Sequence, residues 1–494
     1  MKCICKTVLI KPLLWFSTGF AVMALAGCTV GPDYSAPKTT MSPAWHSELK
    51  DGLTAKPIDP NTLTSWWKTL NDPQLSSLIE HAVMDNLDLK TAKSRIRESR
   101  ARRSVAQGAL FPTFGVTGSA ISSRTDTNVG FDTRGEVYSS NFDAGWEVDI
   151  FGGVRRSIEA AEADLEASEE DLRDVLVSLV AETALNYVEV RTFQGRIVGA
   201  EASLATQNET YELTLWRSQA GLDDELAVQQ ARYNLESTRS QIPALRTGLE
   251  EAMNRLAVLL GETPGNLHKD LEKPRPIPLP PVEIAIGVPA DALRCRSDVR
   301  RAERELAAQT ARVGIATANL YPQLTLNGSI GLETLSLRNP SSARTWTISG
   351  GPRISWAIFD PTVRPNIEVQ SALQEQALIR YEAAVLASLE EVENALVAYA
   401  QELQRKDNLH QATEAAQAAA ELAQHKYQAG LTDFNNVLDS ERSLLSFQDQ
   451  LRQSDGAVTS NVIRLYKSLG GGWSSIAAER ATPGGRKTDL KFGE

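Results

Sequence analysis

The stretch Asn141-Phe-Asp-Ala-Gly-Trp-Glu-Val-Asp-Ile-Phe151 alternates apolar and polar side chains residue by residue. Its apolar members are Phe142, Ala144, Trp146, Val148 and Ile150. Because successive side chains of a strand point to opposite faces, the stretch predicts a strand with one apolar and one polar face. The pattern fits two kinds of sheet equally well: a soluble sheet with one wet face, or a membrane β-barrel with lipid outside and water inside.

Three further stretches show the same alternation, although the first is weaker. The predicted strands cover residues 113–124, 138–151, 323–335 and 345–359. They fall into two pairs, and each pair follows a Leu-aromatic-Pro triplet, at Leu110–Pro112 and Leu320–Pro322. Proline at this place ends a preceding helix. The sequence therefore predicts helix, two strands and helix in each half of the chain.

The two halves also match one another in sequence. Gly118-Ser119 returns as Gly328-Ser329, and Gln219-Ala-Gly-Leu222 returns unchanged as Gln428-Ala-Gly-Leu431, at offsets of 209 to 210 residues. A fixed period of this kind indicates a repeated structural unit. We expect a tandem repeat with a Pro-rich linker between its halves.

A very long helix is predicted in each repeat, over residues 154–219 and 367–428. In the second, apolar residues recur at alternating spacings of three and four. They are Val385, Leu389, Val392, Leu396, Tyr399 and Leu403. A period of 3.5 is typical of helices that pack side by side in a left-handed coil. Helices of this size would extend about 100 Å, too far for a globular core.

The first 27 residues predict an export signal that ends at a lipidation site. Three lysines flank or precede the apolar run Leu13–Leu25, in the order typical of a secretory signal. The tetrapeptide Leu25-Ala-Gly-Cys28 resembles the lipobox of bacterial lipoproteins, in which the cysteine is acylated and becomes the mature N-terminus. The alternative is an ordinary signal followed by a chance cysteine. Since Thr29 rather than aspartate follows, we expect the Gram-negative outer membrane.

Export to that membrane favours the barrel over the soluble sheet. Four strands cannot close a barrel, and unpaired strand edges are not tolerated in lipid. Three copies would supply twelve strands, an even number within the usual range. The fold class that we predict is mainly α with membrane β: a trimeric twelve-stranded barrel continued by a long periplasmic α-helical barrel.

Composition excludes several other classes of protein. The 494 residues carry a net charge of −11, which becomes −14 when the three signal lysines leave, and a nucleic-acid binder needs a basic face. Four Cys and five His leave little material for a disulfide scaffold or a zinc site, and Cys295 is expected to be a small packed residue. Since no hydrolase, zinc-protease or phosphate-loop motif occurs, we expect no enzyme and no cofactor.

Several motifs taken together resemble the outer-membrane efflux protein family (TolC-like), and within it the lipoprotein branch of tripartite drug-efflux channels. They include Trp66-Trp67 with Asp72-Pro-Gln-Leu75, the two Leu-aromatic-Pro triplets, Tyr427-Gln-Ala-Gly430 and Leu465-Tyr-Lys-Ser-Leu-Gly-Gly-Gly-Trp473. The resemblance implies a homotrimer that receives drugs or other small molecules from an inner-membrane RND-type pump through a periplasmic adaptor. It also implies an equatorial belt around the helices.

These observations divide the chain into six segments. They are a lipoprotein signal peptide at 1–27, an N-terminal belt segment at 28–72, repeat one at 73–261, a Pro-rich linker and belt at 262–293, repeat two at 294–469 and a tail at 470–494. Within repeat one, a single helix is expected from Pro73 to Leu110.

Four groups of candidate site residues follow. The lipidation site is Cys28, and the resemblance places a periplasmic gate at Asp439, Asn435, Tyr427 and Lys426. The helix-tip turns, which are candidates for adaptor contact, are Ala220, Gly221, Leu222, Ala429, Gly430 and Leu431. The charged residues expected on the lumen-facing side of the strands are Asp143, Glu147, Asp149, Glu333 and Arg353. Asp439 could equally be a solvated carboxylate, and the turns could serve only to end helices.

Two other functions stay open at this stage. A type I protein-secretion duct would share the fold and differ in partner and cargo. A structural periplasmic coiled-coil lipoprotein without a pore would have no use for the alternating strands.

Overall fold

The structure is a computed structural model that describes residues 29–38, 43–50, 52–57, 59–125, 133–290, 293, 296–335 and 344–472. The helices are α1 (Pro60–Thr64), α2 (Pro73–Asp85), α3 (Leu87–Gly108), α4 (Gly153–Gln219), α5 (Glu225–Leu259), α6 (His268–Leu271), α7 (Ser297–Ala318), α8 (Val363–Gln428) and α9 (Phe434–Ser468), with a 3-10 turn at Trp66–Leu70. The strands are β1 (Leu53–Thr54), β2 (Thr113–Thr125), β3 (Thr133–Val148), β4 (Ile284–Ala285), β5 (Gln323–Thr334) and β6 (Arg344–Ser355). Cys28, Cys295 and the tail after Gly472 lie outside the described residues.

The four long strands form one antiparallel sheet in the order β2-β3-β5-β6. In its register Asp143 lies opposite Gly115 on one side and Ser329 on the other. β3 starts earlier and ends earlier than the alternation indicated, and β6 ends at Ser355 rather than near 359. Both strands end where the chain makes the same tight bend, with an N–H bonded to the carbonyl two residues back, at Ile150 and Ile358.

At each junction between a helix and the sheet, a tryptophan side chain hydrogen-bonds to the backbone. The indole of Trp146 donates to the carbonyl of Leu110 and that of Trp356 donates to the carbonyl of Leu320, both at 3.0 Å. These carbonyls lie just past the ends of α3 and α7, where the backbone has lost its helical partners. The two halves of the chain therefore use the same contact at corresponding positions.

The predicted long helices are present as α4, with 67 residues, and α8, with 66. The predicted 3.5-residue seam of α8 faces inward, since Val385, Val392, Leu396 and Tyr399 are all buried. Each long helix is followed by a turn and a helix of 35 residues, α5 or α9. Within the described residues, no helix combines the length and the apolar composition needed to cross a bilayer.

The single helix expected from Pro73 to Leu110 is wrong, because the chain breaks at Asn86 between α2 and α3. The Asn86 side chain accepts a hydrogen bond from the Leu89 amide, which caps α3, and donates to the carbonyl of Leu259. Asparagine is a favoured capping residue because its side chain satisfies an amide that the helix leaves free.

The chain divides into two compact units. The first comprises the described residues of 1–38, 96–168 and 301–382 and contains the four-stranded sheet. The second comprises those of 39–95, 169–300 and 383–494.

In the second unit, segments from distant parts of the chain pack together. The ring of Trp66 stacks on that of Tyr466 at 5.5 Å, and the Gly472 amide donates to the Leu63 carbonyl. β1 pairs in parallel with β4, which joins the segment before α2 to the Pro-rich linker.

Candidate functional site

Two turns of identical sequence, Gln219–Leu222 and Gln428–Leu431, join the long helices to the helices that follow them. Gly221 and Gly430 have φ angles of 75° and 71°, a left-handed conformation that glycine adopts without strain. In both turns the glycine amide bonds three residues back and the leucine amide bonds five residues back, which is the Schellman geometry. The six candidate contact residues, Ala220, Gly221, Leu222, Ala429, Gly430 and Leu431, are all exposed.

A hydrogen-bonded link joins the two turns inside the second unit. The Tyr427 hydroxyl donates to the Asp223 carboxylate, which also accepts from the Arg217 guanidinium at 2.7 Å. The Arg217 guanidinium also lies 4.6 Å from the centre of the Tyr427 ring. Arg217 therefore makes an ion pair with Asp223 and a cation–π contact with Tyr427. No local pattern in the sequence marks Arg217 and Asp223 as site residues, because their partner Tyr427 lies in the other half of the chain.

Tyr427 is only 1% exposed, because its ring belongs to a small apolar cluster beneath the turns. The cluster contains Ala227, Ala231, Ala423, Tyr427, Phe434, Val437 and Leu438. Burial, followed by the bond to Asp223, raises the pKa of the Tyr427 hydroxyl above its usual value. The hydroxyl is therefore a stable neutral donor at physiological pH.

The other residues predicted at the gate lie on the surface. Asn435 and Asp439 are exposed one helical turn apart on α9, and Lys426 is exposed at the end of α8. The structure thus groups Asn435 with Asp439, and assigns Tyr427 to the link with Asp223 instead of to the same exposed surface.

A half-buried carboxyl group lies two residues beyond Asp439. Glu441 accepts a hydrogen bond at 2.8 Å from the Thr210 hydroxyl of α4. Burial raises the pKa of Glu441, and the bond from Thr210 opposes that change only in part. Glu441 carries no distinguishing signal in the sequence, because a glutamate on a long polar helix usually lies in solvent.

In the first unit, one face of the sheet is apolar although it is exposed in a single chain. The large side chains exposed there are Phe114, Val116, Phe142, Trp146, Leu326, Ile330, Trp346, Ile348 and Ile354. A contiguous apolar surface of this kind marks contact with a membrane or with another protein.

The opposite face carries the predicted polar residues. Asp143 accepts hydrogen bonds at 2.7 Å from the hydroxyls of Thr117 and Ser329 on the strands to either side. Thr325 of β5 is paired with Glu147 of β3 on one side and with Arg353 of β6 on the other. Glu333 of β5 is paired with Ser139 of β3. The sheet therefore has a polar face with three acidic groups and one basic group among the predicted residues.

The prediction that Asp149 lies on this strand face is wrong, because β3 ends at Val148. The Asp149 carboxylate accepts from the backbone amides of Val154 and Arg155 in the first turn of α4, and from the Arg155 side chain. A carboxylate at a helix N-terminus satisfies free amides and complements the helix dipole. Asp149 is thus a helix cap.

Among the residues that the structure describes, no group of three His, Cys, Asp or Glu side chains is arranged to hold a metal ion. The features found are instead a sheet with an exposed apolar face, and paired turns beyond two helices of 66 and 67 residues. Together they define the class of outer-membrane channels with a helical extension.

The sequence matches a known protein family within this class. The family model described as outer membrane efflux protein matches residues 78–262 and 288–471, and the chain belongs to this family. It is 30% identical to nodulation protein T of Rhizobium leguminosarum bv. trifolii, over 94% of this chain and 98% of that protein. It is 28% identical to the toluene efflux pump outer membrane protein TtgF of Pseudomonas putida, over 93% and 97%.

Among solved structures, the outer-membrane channel OprN has 37% sequence identity and a TM-score of 0.83, and the match covers 90% of this chain and all of that one. These findings confirm the predicted combination of a helical barrel with a β part, and the chain is an outer-membrane channel of the efflux type.

Proposed function

We propose that the chain is one subunit of a homotrimeric outer-membrane duct in a tripartite efflux system. The duct conducts drugs or other small molecules passively, from an inner-membrane RND-type pump and a periplasmic adaptor to the outside. The observation that carries this proposal is the sheet, whose apolar face is exposed while its other face carries polar and charged groups. In a membrane barrel the first face would contact lipid and the second would line water.

The edges of the sheet support assembly from several copies. β2 and β6 are its outer strands and have no further neighbour among the described residues. Since unpaired strand edges are not tolerated in lipid, β2 of one copy would pair with β6 of the next. Three copies would close the ring.

Recording of the purified protein in planar bilayers tests the duct. We expect conductance steps from trimers, and none from monomers separated after heat denaturation. Trimers without any conductance would instead favour the structural periplasmic lipoprotein. A protein-secretion duct would conduct too, and would be recognised by co-purification with a different inner-membrane transporter.

We further propose that the turns form the periplasmic tip and that Asp439 and Asn435 line its constriction. Both are exposed on α9 just beyond the second turn. Three Asp439 carboxylates around an axis would attract cations and disfavour anions. The six exposed turn residues would face the adaptor.

The gate is tested by Asp439→Ala, with Asp407→Ala, another exposed aspartate on a long helix, as the matched control. The first should change single-channel conductance and its cation preference, whereas the second should leave both unchanged. Equal conductance and equal reversal potentials in the two variants would make Asp439 an ordinary surface residue.

We also propose that Cys28 is acylated and anchors the chain to the outer membrane, and that residues 28–72, 262–293 and 470–494 form a belt around the helices. Support for the belt comes from the pairing of β1 with β4 and from the Gly472–Leu63 bond, which connect these three segments. Labelled palmitate should enter the wild type and be absent from Cys28→Ala. Label that persists in the variant would exclude Cys28 as the site.

A further inference from the structure

The residues directly after Cys28 form an N-terminal arm, residues 29–34, that packs against other segments of the first unit. The Val30 amide donates to the carbonyl of Phe151 at 3.2 Å, just beyond the end of β3. Gly152 has a φ of 82°, and a Cβ on it would lie 2.8 Å from the Thr29 backbone. The arm therefore lies against the bend between β3 and α4.

A buried arginine of α4 binds this arm through several hydrogen bonds. The Arg156 side chain is only 4% exposed, and its guanidinium donates to the Val30 carbonyl at 3.2 Å and to the Asp33 carboxylate at 2.7 Å. A longer bond of 3.4 Å reaches the Gly31 carbonyl, and Glu159 of the same helix accepts at 2.7 Å. Only a planar fork of several donors can serve so many acceptors at once.

The space around the arginine is shaped for close approach of the arm. Gly31 has a φ of 89°, and a Cβ on it would meet the Gly314 backbone of α7 at 2.5 Å. A Cβ on Gly314 would in turn meet the Arg156 side chain at 2.9 Å. The arm, α4 and α7 thus meet where only glycine fits.

A second contact holds the end of the arm. The Tyr34 hydroxyl donates to Glu303 at 3.0 Å, and the Arg304 guanidinium lies 5.5 Å from the centre of the Tyr34 ring. The same ring packs against a cluster of small residues formed by Ala163, Ala307 and Ala308. Two separate groups of side chains, around Arg156 and around Tyr34, therefore fix six consecutive residues.

We propose that Arg156 is a positioning residue for the membrane anchor: it fixes the N-terminal arm so that a lipid on Cys28 is held beside the end of β3. The proposal rests on the acylation of Cys28 proposed above. Two residues of extended chain reach at most about 7 Å, so a group attached at position 28 stays close to Val30. The arm thereby couples the anchor to the place where the sheet gives way to helix.

Hydrogen–deuterium exchange of the full-length protein in nanodiscs tests the grip. In Arg156→Gln we expect peptides covering residues 29–38 to exchange about tenfold faster or more, since hydrogen bonds to a buried charged group are lost. Arg312→Gln is the matched control, because Arg312 pairs with Asp164 on the surface of the same unit. It should leave exchange of the arm unchanged.

Asp33→Asn is a second variant, needed in case Arg156→Gln fails to fold. The Asp33 side chain is 87% exposed, so its replacement should not disturb the core. We expect it to speed exchange of the arm several-fold while peptides from β3 and β5 stay protected. Unchanged exchange of the arm in both Arg156→Gln and Asp33→Asn would overturn the proposal. Palmitate labelling is read in parallel: a wild type that takes up no label refutes the lipid anchor, but it leaves the exchange result to decide on the grip.

Discussion

The two helix turns have the same four residues and the same backbone hydrogen bonds, yet their surroundings differ. After the first turn comes Asp223, which binds Arg217 and Tyr427, whereas Thr432 follows the second turn and accepts a bond from the Asn436 side chain. Asp224 caps α5 through the Ala227 amide, but the corresponding Asp433 makes no side-chain cap at α9. The shared residues build the turn, and the unshared neighbours decide how it is held.

The comparison suggests a division of roles. The first turn is tied down by a charged group and a cap. The second contributes Tyr427 to that link and is followed by the exposed pair Asn435 and Asp439. In the proposed periplasmic tip, we therefore expect the second turn and the start of α9 to be the part that moves, with the Asp223 link as the restraint.

Removal of the link should have the largest effect. Asp223→Ala leaves a half-buried guanidinium and a buried hydroxyl without their carboxylate acceptor, so we expect a loss of stability of about 2 kcal/mol and a higher conductance. Thermal unfolding and bilayer recording measure the two effects. Tyr427→Phe keeps the ring and removes only the donor, and should cost about half as much. A variant Asp223→Ala with wild-type conductance would separate the link from gating.

Substitution of the two glycines tests whether the turns themselves are equivalent. An alanine Cβ would meet no atom within 4 Å at either Gly221 or Gly430, so the cost arises only from the left-handed backbone. We expect Gly221→Ala and Gly430→Ala each to lower stability by about 1–2 kcal/mol, with equal shifts of the melting temperature. Clearly unequal shifts would show that the surroundings strain one turn more than the other.

The Thr210–Glu441 contact joins the helix before the first turn to the helix after the second. Because the pKa of Glu441 is raised in the folded chain, its contribution to stability is complete below the unfolded pKa of about 4.3 and is lost as pH rises through the folded pKa. Glu441→Gln should therefore stabilise the protein at pH 7, on the order of 1 kcal/mol. Melting curves at neutral pH and near pH 4 test the sign, since the gain should vanish in acid.

We expect the smallest difference between the two turns from the residues that precede α5 and α9, Asp224 and Asp433. Asp224→Ala removes a side-chain bond to the Ala227 amide at 3.0 Å and should cost about 1 kcal/mol, while Asp433→Ala should cost only a few tenths. Thermal unfolding of the two variants side by side measures the difference. Equal losses would mean that Asp433 caps α9 in the working assembly.

Much of the fold could be predicted because its signals are local. The alternation around Phe142 and Trp146 predicted a strand with one apolar face, and the spacing from Val385 to Tyr399 predicted the seam of α8. Ends of elements were harder to predict. Asp149 continues the alternation in the sequence although its carboxylate already caps α4.

The contacts of the site depend on which distant residues meet, and the sequence holds no local signal for that. In the sequence, Asp223 is one of two adjacent aspartates before a helix, and nothing there indicates a contact with Tyr427. The structure shows the hydrogen bond between them. Arg156 likewise reads as one more basic residue near the start of a long helix. Its role depends on Val30 and Asp33, which precede it by more than a hundred residues.

The pairing of β3 with β5 has a consequence for biogenesis. Val148 lies opposite Leu324 in the sheet, yet α4, α5 and α7 all intervene along the chain. Contacts between such remote segments form slowly, because a long loop must close before they are made. During translocation the β2–β3 hairpin waits with an open strand edge, which is prone to aggregation until β5 arrives. We therefore expect this hairpin to need protection from other chains until β5 has been translocated.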